Sequence, residues 1–205
     1  MKLKQLEITL QRLAGFSLPQ PALEQYLTPA PLAARLLHHA LMRGDIGGKS
    51  VCDLGCGTGI LAIGAALCGA ADVIGVEVDP RAVAVAEANA DLVGADVEFI
   101  AAGIDDPALH RLIGVRDTVV MNPPFGAQKV HADRPFIDFA LEIAPVTWGI
   151  FNAGSLSFLR AYIQSRAVID EMTGGRFPIR RTFSFHTKDV QEIEVEVLRI
   201  VRGDA

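Results

Sequence analysis

A short stretch after an apolar run combines an amide, two prolines and an aromatic ring. In "VVMNPPFGAQ", Asn122, Pro123, Pro124 and Phe125 follow β-branched residues typical of a buried strand. The side-chain oxygen of Asn122 and the backbone carbonyl of Pro123 can each accept one N–H of a planar amine. Two prolines fix the loop in one conformation, and Phe125 can stack on the face of a base. These residues therefore predict a site that grips an NH₂ group.

An exocyclic amine of adenine or cytosine is a poor nucleophile, because its nitrogen lone pair is delocalised into the ring. Holding both N–H groups and aiming the nitrogen lowers the barrier largely through positioning. No strong general base is needed if the electrophile is already activated and the proton leaves after transfer. The alternative interpretation is an ordinary proline turn with a packed phenylalanine.

A glycine-rich loop supplies a second motif, upstream of the first. "DLGCGTGIL" places Gly55, Gly57 and Gly59 between a predicted strand and a predicted helix. Glycine lets a ligand approach the backbone closely, and a helix start offers unpaired N–H groups. A dinucleotide site would show GxGxxG spacing. The spacing here is GxGxG after Asp53, whose carboxylate would repel a pyrophosphate and suit a cationic ligand that carries an amine.

The next predicted strand ends in Glu77, about twenty residues past the loop, where an acid can accept hydrogen bonds from both ribose hydroxyls. A nucleoside with a positive charge nearby fits this set, and S-adenosylmethionine has a sulfonium, an ammonium, a ribose and an adenine. After the third strand Gly103 stands where an acid would contact the adenine. Asp105 or Asp106 can reach the ring instead, although Asp106 is better suited to capping the following helix.

The elements that position both motifs follow from hydrophobic periodicity. The predicted strands cover 50–55, 71–78, 96–100, 117–121, 146–151, 179–187 and 190–201. The predicted helices cover 1–14, 29–42 with Thr28 as its cap, 58–68, 80–91 with Asp79 as its cap, 106–113, 134–143 and 155–171.

The near-continuous apolar strands alternate with helices, which indicates an α/β fold with a doubly wound, mostly parallel seven-stranded sheet. The last two strands alternate with period two, which predicts one antiparallel strand near the edge. We expect a single domain over 1–205, with 1–45 as a helical cap over the cofactor and 46–205 as a Rossmann-like core.

Composition is that of a globular protein: of 205 residues, 50% are hydrophobic and 21% charged. The net charge of −5 does not favour nucleic-acid binding, so a polyanion would need a local basic face. Cys52, Cys56 and Cys68 form no CxxC pair and are odd in number, so we predict no disulfide framework, no metal site and a reducing, cytoplasmic location. No apolar run reaches the ~18 residues of a membrane span.

The pair of motifs "DLGCGTG" and "NPPFG" resembles the class I, S-adenosylmethionine-dependent amino-methyltransferases. "LEQYLTPAPLAARLL", "VVMNPPFGAQ" and "FSFHTKDVQEIEVEVLRI" are similar to one subfamily. It is the small methyltransferase-like family that makes N6-methyladenosine in eukaryotic small-subunit ribosomal RNA, with archaeal relatives. The resemblance runs from about Leu6 to Arg202, and it implies a class I (Rossmann-like) methyltransferase that modifies an adenosine in RNA.

The resemblance also implies roles for individual residues. Gln25, Tyr26 and Thr28 should close over the cofactor from the N-terminal side. Asp53, Gly55, Gly57 and Glu77 should line its pocket, and Asn122, Pro123, Pro124 and Phe125 should hold the adenine. The sequence departs from the family at Gly103, which replaces an acid and bears on how the adenine ring is recognised.

The eukaryotic members of the family need a small zinc-binding activator protein, which pairs with an exposed sheet edge. An edge strand has unpaired backbone groups that invite such addition. In a class I strand order the edge is the third predicted strand, so the resemblance implies a partner site near Asp96 to Ile100.

A basic rim with aromatic residues could grip RNA. Candidate contacts are Lys129, after the NPPF motif, and Arg180, Arg181 and His186 in "GRFPIRRTFSFHTK". His131 and Arg134 continue the rim near Lys129. Alternating phenylalanines in a strand are also typical of core, and surface arginines are common.

Other functions share parts of these patterns. A DNA adenine or protein glutamine methyltransferase uses the same amine clamp, although a DNA enzyme normally carries an added recognition domain. A protein that binds the cofactor or RNA without methyl transfer would not need Asn122 and the two prolines. A nicotinamide-dependent dehydrogenase is disfavoured by the GxGxG spacing and by Asp53.

Overall fold

The computed structural model describes residues 1–126, 128, 130–180 and 190–203, with the backbone alone over 176–180 and 190–192. The strands are β1 Ser50–Leu54, β2 Asp72–Glu77, β3 Glu98–Ala101, β4 Thr118–Met121, β5 Val146–Asn152, β6 Ala167–Arg180 and β7 Val190–Arg202. They form one sheet in the order β3-β2-β1-β4-β5-β7-β6. Among the described strands β7 runs antiparallel to both of its neighbours, β5 and β6, and the other pairs are parallel. The predicted doubly wound sheet with one reversed strand near its edge is confirmed.

Seven α-helices connect the described strands or precede them, and a short 3-10 helix covers Pro21–Leu23. They are α1 Leu3–Leu10, α2 Ala30–Met42, α3 Ile60–Leu67, α4 Pro80–Val93, α5 Leu109–Ile113, α6 Arg134–Ile143 and α7 Leu156–Ile163. Asp79 caps α4 as predicted, because its side chain accepts the Arg81 N–H. The predicted cap of α2 is wrong: Pro29 occupies that position, and the Thr28 hydroxyl bonds to another part of the chain.

The predicted helix over 155–171 is wrong in its second half. Helix α7 ends at Ile163, and β6 begins at Ala167. This segment pairs with the end of β7, from Ala167 beside Arg202 to Met172 beside Leu198. Pairing with a distant strand therefore outweighs the local helical pattern. Of the strand predicted over 179–187, residues 181–187 lie outside the described residues, as does the turn at 188–189.

Two hydrophobic clusters cover the two faces of the sheet, which is how a parallel sheet is buried. Successive strand residues alternate between them: Val51 belongs to the cluster under α1–α4, and Cys52 belongs to the cluster under α5–α7. The three cysteines are buried and free. No described helix combines the length and apolarity needed to cross a membrane.

A buried ion pair holds the reversed strand on the sheet. Arg199 of β7 donates from Nε to Asp45 Oδ2 at 2.8 Å and from Nη2 to Oδ1 at 3.0 Å. Trp148 Nε1 of β5 donates to the same carboxylate at 2.8 Å. Bidentate arginine–carboxylate pairs are strong and directional. The loop before β1 therefore fixes both β5 and β7 at the amino ends of the parallel strands.

A single asparagine positions the segment between α1 and α2. Asn89 of α4 accepts the Ala14 N–H at 2.8 Å and donates to Ala14 O and Thr58 O, each at 2.9 Å. All of its polar atoms are thus used in holding the chain after α1 beside the loop that precedes α3. From there residues 15–28 run across the carboxyl ends of the strands, and we call them the N-terminal strap.

Candidate functional site

A cavity of about 420 Å³ opens at the carboxyl ends of β1, β2 and β4, where open α/β sheets bind their ligands. Most of the residues that the sequence singles out line it together. These are Gln25, Tyr26, Thr28, Gly55, Gly57, Glu77, Asp105, Asn122, Pro123, Pro124 and Phe125. Residues far apart in the chain therefore meet in one concave site.

The glycine loop forms one wall of the cavity. Gly57 has φ +55°, and a Cβ at this position would lie 2.8 Å from the ring of Phe16. Its N–H donates to Glu77 Oε2 at 3.0 Å. Glycine is needed here both for the backbone conformation and for the close approach of the strap.

Glu77 ends β2 and is nearly buried. Its carboxylate accepts the Gly57 N–H, and also the Asp79 N–H at 3.0 Å. Burial raises the pKa of Glu77, while the two backbone N–H groups act in the opposite direction. Each carboxylate oxygen keeps a further lone pair. Glu77 can therefore still accept the hydroxyl groups of a ribose in the cavity.

Asp53 lies behind the loop, outside the cavity lining. It is 1% exposed, and its Oδ2 accepts the N–H of Ala62 in the first turn of α3 at 2.9 Å. Its Oδ1 has no hydrogen-bond partner among the described residues. Desolvation raises the pKa of Asp53 to about 7. The structure thus gives Asp53 a role in holding α3 to the loop, and a direct contact with a ligand stays a prediction.

The strap is anchored at the far side of the cavity on Asp79, which the sequence indicates only as a helix cap. Gln20 Nε2 and Gln25 Nε2 donate to Asp79 Oδ2 at 2.8 Å and 3.1 Å. The Gln20 N–H donates to Gln25 Oε1 at 2.8 Å. Hydrogen bonds from Arg81, and then from the two glutamines, hold the pKa of Asp79 well below its usual range. The predicted cofactor residue Gln25 therefore also fixes the strap.

Asp105 fills the place left by Gly103. A Cβ on Gly103 would lie 2.6 Å from Asp105 Oδ1. The Asp105 carboxylate therefore occupies the space that an acidic side chain at 103 would enter, and Asp105 lines the cavity. Asp106 does not line it: its carboxylate accepts the Ala108 N–H at 2.8 Å, near the start of α5. Asp105 is thus the acid that lines the cavity, but the predicted capping of α5 by Asp106 is wrong, because Ala108 is the capping residue.

The NPPF motif forms the opposite wall. Asn122 Nδ2 donates to Thr28 Oγ1 at 2.9 Å. Asn122 Oδ1 is buried and has no hydrogen-bond partner among the described residues. An unsatisfied buried carbonyl is costly unless a ligand supplies a donor. The next three residues also line the cavity, so this wall offers an acceptor, two rigid prolines and an aromatic ring.

Several cavity residues were missed by the sequence reasoning. Phe16 of the strap lies against Gly57, and Phe136 of α6 lies 3.0 Å from the position that a Cβ on Gly55 would take. His131, which the sequence singles out only as part of the basic rim, also lines the cavity. Phe16 stands in an irregular proline-containing stretch, which is the signal that singled out Phe125. Phe136 sits in an ordinary amphipathic helix and gives no such signal.

The predicted RNA contacts Lys129, Arg181 and His186 lie outside the described residues. Arg180 ends β6 and pairs with Val190 of β7, and its side chain is not described. In the part of the chain that the structure describes, no group of His, Cys, Asp or Glu could hold a metal ion.

The site residues fit S-adenosylmethionine. Glu77 offers ribose acceptors, Asp105 offers an acceptor for an exocyclic amine, and Gly55 and Gly57 of the glycine turn line the same cavity. The unpartnered Oδ1 of Asn122 leaves an acceptor for a second amine on the opposite wall. A nucleoside cofactor and a planar amine can thus occupy one cavity.

Comparison with known proteins agrees with this geometry. The family model of ribosomal protein L11 methyltransferase (PrmA) matches residues 34–122. An uncharacterised protein of Methanocaldococcus jannaschii is 38% identical over 98% of this chain and 94% of its own length. The rRNA N6-adenosine-methyltransferase Mettl5 of Drosophila melanogaster is 35% identical over 99% of this chain and 98% of its own length.

Solved structures agree as well. A candidate RNA methyltransferase of Pyrococcus horikoshii is 37% identical and superposes with a TM-score of 0.91 over 100% of this chain and 99% of its own. A Thermoplasma acidophilum protein is 33% identical, with a TM-score of 0.77 over the full length of both chains. The NPPF wall and the glycine loop line one cavity, and the Drosophila enzyme is 35% identical over almost the full length of both chains. The chain therefore belongs to the S-adenosylmethionine-dependent rRNA N6-adenosine-methyltransferase family.

Proposed function

We propose that this protein transfers a methyl group from S-adenosylmethionine to the N6 amine of an adenosine in RNA, and that the RNA is small-subunit ribosomal RNA. The observation that carries the proposal is the buried Oδ1 of Asn122, which has no hydrogen-bond partner among the described residues at the cavity wall. The names of the full-length relatives from Drosophila melanogaster and Danio rerio support the choice of ribosomal RNA.

The residues of the chain position the amine. Asn122 Oδ1 accepts one N–H of the adenine amine, and the Pro123 carbonyl accepts the other. This arrangement turns the nitrogen lone pair towards the interior of the cavity, where positioning lowers the barrier. Phe125 stacks on the face of the base. S-adenosylmethionine, when bound, supplies a methyl group already activated by its positively charged sulfur, so these residues need not remove the proton before transfer.

The other wall holds the nucleoside. Glu77 accepts the ribose hydroxyls with lone pairs that its bonds to Gly57 and Asp79 leave free. Asp105 accepts the amine of the cofactor's adenine ring. Gln20 fixes the strap to Asp79, and Thr28 fixes it to Asn122. The strap thereby excludes water from the reacting groups.

A second candidate function is methylation of a protein amide or amine. The match of residues 34–122 to the L11 methyltransferase family favours it. A glutamine amide has the same two-hydrogen nitrogen as adenine, so the clamp suits both, and it suits adenine in DNA as well. The L11 match covers less than half of the chain, whereas the RNA-methylating relatives match its whole length.

The experiment is transfer of tritium-labelled methyl groups to ribosomal subunits from a strain that lacks the gene. We expect label in small-subunit RNA, and digestion with chromatography should identify the product as N6-methyladenosine. Label in a ribosomal protein would instead establish the second candidate. The Asn122→Ala variant is the control, because it removes the acceptor and should transfer at least ~10²-fold less label.

We also propose that a small zinc-binding activator protein pairs with β3. The described sheet has β3 at its edge, with its outer backbone groups available for strand addition. Leu92, near the end of α4, is 52% exposed and adds apolar surface on this side of the fold. The same resemblance that implies the partner places its site near Asp96 to Ile100.

This partner proposal is tested by mixing the purified chain with a recombinant activator of that class and measuring the complex by size-exclusion chromatography. We expect a one-to-one complex with the unaltered chain and a weakened one with Leu92→Asp. Leu112→Asp is the matched control, because Leu112 is 48% exposed on α5, which packs on the opposite face. Absence of any complex would contradict the proposal.

We further propose a cytoplasmic location, which suits three free buried cysteines.

A further inference from the structure

Three aromatic rings stack beside the cavity, on α7 and on the turn that leads into α6. The rings of His131 and Phe158 are 6.5 Å apart at 20°, and those of Phe158 and Tyr162 are 5.6 Å apart at 24°. Phe158 and Tyr162 are half-buried against the core under α5–α7, whereas His131 is exposed. We call these three residues the aromatic ladder. It begins at the cavity, because His131 belongs to the cavity lining.

A cationic side chain lies against the ladder. The guanidinium carbon of Arg134 is 5.2 Å from the ring centre of Phe158 and 5.3 Å from that of Tyr162. Its Nε is buried and has no hydrogen-bond partner among the described residues. Asp138 accepts the Tyr162 hydroxyl at 2.8 Å and pairs with Arg166 at 2.7 Å. Arg166 also lies over the Tyr162 ring, at 5.2 Å, but it is paired with Asp138, so among the described residues Arg134 supplies the uncompensated positive charge beside the ladder.

The backbone holds His131 in an uncommon conformation. Its φ is +65°, in the left-handed region that side chains other than glycine seldom adopt. The Arg134 N–H donates to His131 O at 3.2 Å, which closes the turn at the start of α6. Such conformations persist where the surrounding structure enforces them, and they cluster at functional sites. The turn keeps the exposed ring of His131 at the mouth of the cavity.

We propose that the ladder binds the nucleotide next to the target adenosine, whose base stacks on the exposed ring of His131 while the adjoining phosphate meets Arg134. The inference rests on the proposed function and names how the same site holds RNA. A base that enters the cavity must leave its stack, so its neighbour loses a stacking partner. Aromatic rings beside an arginine replace that partner in single-stranded nucleic-acid sites. Continuity with the cavity and the charge of Arg134 favour a nucleotide over an apolar peptide.

The test uses the RNA segment that the labelled-methyl experiment identifies, made with an intact base or an abasic residue on each side of the target. For His131→Ala we expect kcat/KM with the intact RNA to fall about tenfold, mainly through KM. His131→Phe keeps a stacking ring and should stay within about threefold of the unaltered chain. His110→Ala is the matched control, because His110 is also exposed and its ring contacts Phe139 at a tilt of 42°, outside the cavity lining.

The abasic RNA separates stacking from a general loss of structure. Removing the flanking base should lower kcat/KM about tenfold in the unaltered protein and cause little further loss in His131→Ala, because the two changes remove the same contact. The calorimetric affinity for S-adenosylmethionine should be equal in the unaltered protein, His131→Ala, His131→Phe and His110→Ala. Arg134→Gln should lower the salt dependence of RNA binding by about 0.7 in logarithmic slope, the amount expected for one phosphate of a single strand.

Two outcomes overturn the inference alone: an undiminished kcat/KM in His131→Ala, or equal losses from the abasic residue in the unaltered protein and the variant. If the unaltered protein methylates no RNA, the proposed function and this inference fail together. If the chain methylates a protein and neither the intact nor the abasic RNA is methylated, the ladder is likewise rejected as a nucleotide site.

Discussion

The Thr28 hydroxyl accepts a hydrogen bond from the Asn122 side-chain amide at 2.9 Å, although the two residues are 94 positions apart. Because the amide nitrogen is held by Thr28, the amide oxygen is the end left without a partner. That oxygen is the group needed to accept an N–H from the substrate. Thr28 is therefore a positioning residue for the clamp, in addition to the cofactor contact that the family resemblance implies.

Replacing Thr28 with valine should lower kcat about tenfold, because one hydrogen bond that orients the amide is lost while the shape is kept. Thr28→Ser keeps the hydroxyl and should retain most of the activity. Steady-state kinetics with labelled methyl donor measure both variants. If Thr28 acted through the cofactor alone, KM for S-adenosylmethionine would rise and kcat at saturation would not change.

Asn122→Ala should lower methyl transfer at least ~10²-fold, because it removes an acceptor that positions the nucleophile. Affinity for S-adenosylmethionine should change little, since the glycine wall is untouched. Single-turnover transfer and calorimetry separate the two effects. Undiminished activity in this variant would show that the corner formed by Asn122 and Pro123 does not hold the reacting amine.

Asp105→Ala should weaken S-adenosylmethionine binding about tenfold, because it removes a charged acceptor from the cavity. Gly103→Asp should restore affinity in that variant: Gly103 has no positive φ, and the new carboxylate enters the space that Asp105 leaves. In the otherwise unaltered chain Gly103→Asp should weaken binding, because its Cβ would lie 2.6 Å from Asp105 Oδ1. Calorimetry measures the affinity for S-adenosylmethionine of the two single variants and of the double variant. If the effects of the two single substitutions simply add in the double variant, the prediction is contradicted.

Asp53 should make folding stability depend on pH. Desolvation raises its pKa to about 7 in the folded protein, against about 3.9 in an unfolded chain. At pH values between these two pKa values the folded state binds more protons than the unfolded state. The contribution of Asp53 therefore lowers the free energy of unfolding as pH rises, by up to about 4 kcal/mol above pH 7. Asp53→Asn removes this dependence and can still accept the Ala62 N–H.

Urea unfolding of both proteins from about pH 5 to about pH 8 measures the effect of Asp53. The free energy of unfolding of Asp53→Asn, minus that of the unaltered chain, should grow as pH rises through this range. Asp96→Asn, at an exposed position before β3, is the matched control. Parallel pH profiles for Asp53→Asn and the unaltered protein would contradict a buried carboxyl group with a raised pKa.

Much of the site was accessible from the sequence, because its parts are local. Each of these parts lies at the end of a strand: the glycines follow β1, Glu77 ends β2, and the run from Asn122 to Phe125 follows β4. The carboxyl ends of neighbouring parallel strands must meet at one edge of a sheet. Helix α6 was predicted at its observed bounds for a similar reason, since its amphipathic period lies within ten residues.

Other elements could not be predicted from local pattern. The second half of the helix expected over 155–171 is strand, because Ala167 to Met172 pairs with the end of β7. The bond between Asp53 and the Ala62 N–H, which holds α3 to the glycine loop, also has no signal in the sequence. Alternation along a strand gives two faces, and only the packing of α3 decides what each face meets.

The sequence by itself determined the fold class, the place of the cavity and the chemistry of its two walls, because period and turn residues act over a few positions. Tertiary structure alone decided that Thr28 orients Asn122, that Asp105 stands in for an acid at Gly103, and that His131 begins an aromatic ladder. These are contacts between side chains whose directions depend on how strands and helices pack. No spacing within one element encodes them.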